Sequence, residues 1–176
     1  MTQTPTAILA SPFHGEFTVT QSFSYTHNGL DLYAQDSPAV HAVTNGEVIF
    51  VGVKPNGLGT QVLVEDECKR IWYYGHLAST TVRQSDYVQM GDTLGIQGST
   101  GNSRGDHLHL ACKGRNGYEN PALILNIPTT IGEPLHYSPA VIAPAIVLSQ
   151  SPKQIKATIA INGIEYKGTL RAKGGE

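Results

Sequence analysis

A mainly β fold of antiparallel strands, closed by a C-terminal linker and a β-hairpin, is what this sequence predicts. Short runs rich in Val, Ile, Thr, Tyr and Phe recur along the chain, the composition of half-buried strands. Turn residues separate these runs, and 19 Gly and 10 Pro among 176 residues favour many turns over long helices. Helical periodicity is nearly absent.

In chain order the predicted strands are Phe17–Phe23, Gly46–Val53, Thr60–Glu65, Arg70–Gly75, Asp92–Gln97 and His107–Lys113. Lys54-Pro55-Asn56-Gly57-Leu58-Gly59 reads as a turn between two of them. Gly98-Ser99-Thr100-Gly101-Asn102-Ser103-Arg104-Gly105 reads as a flexible loop leading into the last. The one expected helical turn is Pro121–Asn126. This first domain is expected to span residues 1–126. Pro128, Pro134, Pro139, Pro144 and Pro152 then punctuate residues 127–153, which read as a linker or a surface-hugging tail. Residues 154–176 hold two alternating runs around Asn162-Gly163. Both central positions of a tight hairpin turn require positive φ, which Asn-Gly tolerates. A lone hairpin is marginal in water, so this one is expected to dock on the main domain, another copy or a partner.

Composition excludes several classes. Forty per cent of the residues are hydrophobic, enough for a packed core, and the formal net charge is −2. There is no run of five or more basic residues, so nucleic acid is not an expected partner. No stretch is apolar for the roughly 18 residues a membrane span requires. Met1-Thr2-Gln3-Thr4-Pro5-Thr6-Ala7 lacks the basic n-region and apolar h-region of a secretory signal. Cys68 and Cys112 are too few for a disulfide scaffold or a cysteine-based zinc site. Two free thiols are expected, with a single bridge as the alternative.

Chemistry concentrates in the histidines. His107-Leu108-His109 places two imidazoles two apart, on one face of an extended strand. His27-Asn28-Gly29-Leu30-Asp31 adds an imidazole and a carboxylate four apart. Imidazole plus carboxylate is a zinc-type ligand set, and three protein ligands leave a position open for water. Either pattern alone is weak, since a single histidine is more often surface or simply hydrogen-bonded. Together they gain weight from His76 after the aromatic run Trp72-Tyr73-Tyr74, from glycines at 29, 75 and 105, and from a charged content of only 15%. His41 is expected at the surface, and His14 and His136 in structural roles. Rival chemistries fail: there is no Gly-x-Ser-x-Gly elbow, and Gly98 to Gly105 lacks the Lys-Ser/Thr ending of a phosphate loop.

These segments carry a resemblance. His27-Asn28-Gly29-Leu30-Asp31-Leu32, Ala42-Val43-Thr44-Asn45-Gly46-Glu47-Val48, Tyr74-Gly75-His76-Leu77, Val88-Gln89-Met90-Gly91-Asp92-Thr93-Leu94-Gly95, and Gly98-Ser99-Thr100-Gly101 running into His107-Leu108-His109 occur in order and at matching spacing. The set resembles the lysostaphin-type zinc metallopeptidases, the glycyl-glycine endopeptidase family that cuts peptidoglycan cross-bridges or stem peptides. The resemblance implies His27, Asp31 and His109 as ligands of one zinc per chain. It implies His76 and His107 as general base or transition-state stabiliser beside a substrate groove. Asp106 and Leu110-Ala111 depart from the Pro and Phe-Glu that flank the paired histidines in many relatives. None of these is a ligand, but Asp106 adds charge beside the site and bears on substrate choice.

The function expected from this reading is zinc-dependent cleavage of bacterial cell-wall peptides. With no signal of its own, the chain fits a bacteriophage lysin, virion-associated or held in the host cytoplasm before release. Its expected partners are peptidoglycan and, through the hairpin, virion tail subunits or a second copy. The alternative is a non-catalytic structural tail or wall-binding protein that retains the zinc site.

Overall fold

The computed structural model describes residues 11–136, together with strands at 155–161 and 164–170. Two compact units divide the chain, residues 1–138 and 139–176. In the first, the strands are β1 (Glu16–Gln21), β2 (Leu30–Tyr33), β3 (Ala39–His41), β4 (Gly46–Val53), β5 (Thr60–Asp66) and β6 (Ile71–Gly75). They continue with β7 (Ser79–Thr80), β8 (Tyr87–Val88), β9 (Thr93–Ile96), β10 (Leu108–Gly114), β11 (Gly117–Glu119) and β12 (Pro134–His136). A single helical turn, α1 (Pro121–Leu125), lies between β11 and β12.

The main sheet has nine strands in the order β12-β1-β2-β10-β6-β5-β4-β8, with β11 also on β10. A small sheet, β3-β9-β7, completes the unit. The strand pairings are antiparallel throughout. β10 is the hub. Its first residues, Leu108–Leu110, pair with β2, Cys112–Gly114 pair with β11, and its other edge pairs with β6.

Strand alternation sorts the side chains. Leu30 and Leu32 of β2, Leu108 and Leu110 of β10, Trp72 and Tyr74 of β6, and Val62 and Val64 of β5 are buried on the core side. Residues of the opposite parity, Asp31, His109 and Tyr73, therefore project from the other face. The core keeps its polar atoms paired: Trp72 Nε1 donates to Asp66 Oδ2 at 3.1 Å, and the Val43 amide donates to the Tyr74 hydroxyl oxygen at 3.0 Å. Burial pushes the Tyr74 phenol well above its ordinary range. Truncating a buried Trp such as Trp72 to Ala costs about 3–5 kcal/mol.

Six predicted strands correspond to β1, β4, β5, β6, β9 and β10, with β4 matching at both ends and no end shifted by more than two residues. The predicted helical turn is α1. The Asn120 side chain caps it by accepting from Ala122 N at 3.0 Å, Pro121 starts it, and Asn126 closes it in the left-handed region at φ 54°. Strands β2, β3, β7, β8, β11 and β12 are additional. All have four residues or fewer, too short for alternation to declare itself.

Two expectations change. Residues 127–136, expected as linker or surface tail, are tied to β1: Ile127 is buried, Ile131 bridges Val19, and β12 pairs with β1. Pro134 is tolerated there because β12 is an edge strand, where the missing N–H costs no ladder bond. His41, expected at the surface, is buried at 7% exposure. A bulge between Val40 and His41 breaks the alternation, so both turn inward. The His41 ring stacks on His14 at 3.6 Å and its Nδ1 bonds the Gly91 carbonyl at 3.0 Å. Burial, with the His14 charge beside it, lowers its pKa. His136 lies on β12 and pairs with Glu16 at 3.2 Å.

Both cysteines are free thiols: Cys68 is exposed and Cys112 is buried, with its pKa pushed up to about 12 by burial. In the second unit, β13 (Ile155–Ile161) and β14 (Ile164–Leu170) pair antiparallel, Ile161 opposite Ile164. The Asn162-Gly163 turn and residues 137–154, with Pro139, Pro144 and Pro152, lie outside the described residues.

Candidate functional site

Three adjacent strands deliver the predicted residues to one end of the sheet. In the register of β2 and β10, Asp31 stands opposite His109. In that of β10 and β6, His109 stands opposite Gly75, so His76 follows one residue beyond the pair. His27 lies in the β1–β2 connection, held by paired backbone bonds with Ser24. His107 bridges Gly98 at the entrance to β10 and shares the face of His109.

Asp31, His109 and His27 converge. His109 Nδ1 lies 2.8 Å from Asp31 Oδ1, His27 Nε2 lies 3.1 Å from the same oxygen, and the two ring nitrogens are 3.2 Å apart. The rings of His27 and His109 meet edge-on, with centroids 4.9 Å apart at 77°. Asp31 and His109 are buried and His27 is half-buried. His27 Nδ1 donates to the Ser22 carbonyl at 3.1 Å, which makes Nε2 the lone-pair nitrogen. Gly29 is required beside this cluster: a Cβ there would come within 2.5 Å of His109 Cε1 and Nε2.

The electrostatics follow from this packing. Burial alone would raise the Asp31 pKa, but His109 and His27, donating to it in their protonated forms, outweigh that and hold the carboxyl well below the usual range. The Asp31 hydrogen bond in turn raises the pKa of His27. Asp31 is thus a carboxylate at neutral pH, facing two imidazoles whose atoms can each present a lone pair.

A metal ion fits this donor set. One ligand atom from each of His27, Asp31 and His109 lies within 4.8 Å of the others. Two imidazoles and one carboxylate pointing at one place, with no protein donor between them, form a cradle for a proton or a cation. The ligand types suit zinc.

His76 and His107 border the cluster. Their rings lie 4.7 Å apart, and His76 is 5.9 Å from His109 by centroids. His76 Nδ1 donates to the Thr100 carbonyl at 2.7 Å, and His107 Nδ1 donates to the Gly105 carbonyl at 2.8 Å. Each bond leaves Nε2 as the basic nitrogen. His107 Nε2 faces Asp31 Oδ2 at 3.7 Å. Burial lowers the His76 pKa, and the neighbouring His107 and His109 charges add to that, so the ring is neutral at physiological pH. His76 also adopts φ 62°, the left-handed region where a side chain is strained.

All five predicted residues meet here, while His14, His41 and His136 do not. The carbonyls of Ser22, Thr100 and Gly105, which orient the rings, had no sequence signal, because every residue carries a carbonyl. Ser103, whose Oγ lies 3.3 Å from His107 Nδ1, was seen only as part of a flexible loop.

A β-sheet with a His-Asp-His cradle on one face and two further histidines beside it defines a candidate metallopeptidase. Residues 25–121 match Peptidase family M23, and the chain belongs to that family. It is 34% identical over 85 residues to lysostaphin of Staphylococcus simulans, 48% of this chain and 17% of that protein. It is 37% identical over 89 residues to endolysin 2638A of Staphylococcus phage 2638A, 48% of this chain and 18% of that protein. It is also 33% identical over 85 residues to glycyl-glycine endopeptidase ALE-1 of Staphylococcus capitis, covering 48% of this chain and 24% of that protein. The chain thus spans less than a quarter of these relatives' length. Among solved structures, the lysostaphin catalytic domain superposes with TM-score 0.56 at 23% identity, over 66% of this chain and 98% of that one. A putative peptidase M23 from Pseudomonas aeruginosa superposes with TM-score 0.59 at 26% identity, over 69% and 52%.

Proposed function

We propose that this chain is a zinc-dependent endopeptidase that cleaves cross-bridge or stem peptides of bacterial peptidoglycan, with one zinc per chain. The observation that carries the reading is the convergence of His27 Nε2, Asp31 Oδ1 and His109 Nδ1 within 3.2 Å of one another. Zinc in such a set supplies a Lewis-acid centre and makes hydroxide available near neutral pH. His27, Asp31 and His109 hold it, and Ser22 fixes the tautomer of His27. His76 and His107 present Nε2 beside the cradle, placed to accept a proton from the attacking water and, once protonated, to donate to the oxygen of the tetrahedral carbonyl. An extended peptide lies along the sheet face that carries these rings.

The 37% identity to a phage endolysin supports a phage lysin, used in host lysis or carried in the virion tail. The test is to digest purified bacterial walls with the zinc-loaded protein and identify the new termini by mass spectrometry. New termini within the cross-bridge or stem are expected. Intact walls would favour a non-catalytic wall-binding or tail protein.

The pH profile follows from His76. Its lowered pKa keeps the ring neutral to lower pH than an ordinary histidine, so loss of hydrolysis through His76, with zinc in excess, sets in at lower pH than an ordinary histidine would give. Protonation of His27, favoured by Asp31, sets in at higher pH than that of His76 and competes with the metal. A flat profile down to about pH 5 would count against histidine-based chemistry.

The hairpin of β13 and β14 is assigned to self-association or to tail or wall partners rather than to catalysis. Because β12 belongs to the main sheet, the informative truncation ends after residue 136, not 127. That protein should cleave a soluble peptide but lose self-association or attachment, read by light scattering and wall pull-down. Lost cleavage in a folded, zinc-loaded truncation would show that the second unit completes the site.

A further inference from the structure

We propose that Thr100 is the positioning residue that sets the tautomer and orientation of His76. This rests on the reading of His76 as a catalytic group. Four observations converge on it. The Thr100 hydroxyl accepts from the Thr60 amide at 2.9 Å and donates to the Leu77 carbonyl at 2.9 Å, so one side chain ties the 98–105 loop to the start of β5 and to the residue that follows His76. The Thr100 carbonyl then accepts His76 Nδ1 at 2.7 Å, the bond that makes Nε2 the basic nitrogen. The His76 backbone is clasped by the same two loops, its amide donating to Leu58 O at 2.7 Å and its carbonyl accepting from the Thr100 amide at 3.4 Å. His76 is left-handed at φ 62°, a conformation that persists only where its surroundings over-determine it.

The 57–59 loop is built to hold this clasp. The amides of Asn56 and Gln61 bond each other reciprocally at 3.1 and 2.9 Å, with Gln61 fully buried. Asn56 Oδ1 also accepts from Leu58 N at 3.2 Å. The loop's glycines allow backbone to meet backbone: a Cβ on Gly59 would overlap Thr100, and one on Gly101 would overlap Gly57 and Gly59. The segment that reads in sequence as a flexible loop is therefore anchored at Thr100. A ring that must accept a proton at Nε2 needs Nδ1 held as the donor, and a small displacement of such a group costs rate steeply. Thr100 holds it without touching the substrate.

The test uses the full chain loaded with zinc. Thr100→Val keeps the carbonyl and the branched shape but removes the hydroxyl that anchors them. In histidine-labelled protein at one fixed pH near neutrality, 15N NMR should show the His76 ring passing from dominant Nδ1–H to a mixture of tautomers. Wall hydrolysis at saturating wall concentration should fall about 10- to 100-fold, with the half-saturating wall concentration little changed. Thr100→Ser, which keeps the hydroxyl, should recover most of the rate and the native tautomer. Asn56→Ala loosens the 57–59 loop that Thr100 is clasped against, from an exposed position, and should shift the His76 signals in the same direction even if Thr100→Val does not fold. Zinc content should remain at one per chain in every variant. A native His76 tautomer in Thr100→Val and Asn56→Ala overturns the proposal, whatever happens to stability. Equal loss in Thr100→Ser and Thr100→Val also overturns it. If the native protein hydrolyses no walls, the functional reading falls, while the NMR result still decides the role of Thr100.

Discussion

His109→Ala is expected to empty the metal site and abolish wall hydrolysis. His109 is the centre of the cluster: Nδ1 lies 2.8 Å from Asp31 Oδ1 and 3.2 Å from His27 Nε2, and the residue is 7% exposed. Its removal leaves one imidazole and one carboxylate, too few to retain zinc in a hydrolytic site. Even groups that only support a ligand cost about 10- to 100-fold in affinity or activity, so loss of a ligand should exceed that. Metal analysis of dialysed protein should give about one zinc per chain in the native form and essentially none in His109→Ala. The His27→Ala and Asp31→Ala proteins should behave likewise. His136→Ala, at the exposed far edge of the sheet, serves as the control and should retain zinc and activity. Zinc near the native level in His109→Ala would sink the ligand assignment.

His76→Ala and His107→Ala should keep zinc and lose about 10²- to 10⁴-fold in rate, the range of a positioned acid–base group. The structure separates these rings from the cradle. His76 spends its Nδ1 on the Thr100 carbonyl and His107 spends its own on the Gly105 carbonyl. Neither places a nitrogen against both His27 and Asp31, as His109 does. His107 stands nearest, 3.7 Å from Asp31 Oδ2, so its replacement is the sharper test. Zinc content and wall hydrolysis measured on the same preparations separate the two roles. If either variant loses zinc as readily as His27→Ala, the division between ligands and catalysts is wrong. The double variant should be little worse than the poorer single, because groups that act on one proton transfer are not additive.

Much of this was legible in the residues themselves. Six strands, β1, β4, β5, β6, β9 and β10, announced themselves by composition and turn residues, and α1 by Pro121 and the flanking asparagines. His107 and His109 share a face because strand side chains repeat every two residues, a purely local rule. The His-Asp and His-x-His patterns likewise name ligand types before any fold is known. The short strands escaped because β3 and β12 have three residues each and are strands only through the partners they pair with.

The tertiary structure alone decided which atoms meet. Asp31 and His109 are 78 residues apart and stand within bonding distance because β2 and β10 pair in one register. A slip of one residue would turn either side chain to the opposite face. The bulge that buries His41, the left-handed turn at His76 and the Thr100 carbonyl that receives its proton are likewise products of pairing between distant segments. Sequence determined which groups could do chemistry, since residue type and strand period are local. Register, bulges and backbone carbonyls are set by contacts distant in sequence, and they decided which of those groups stand within bonding distance.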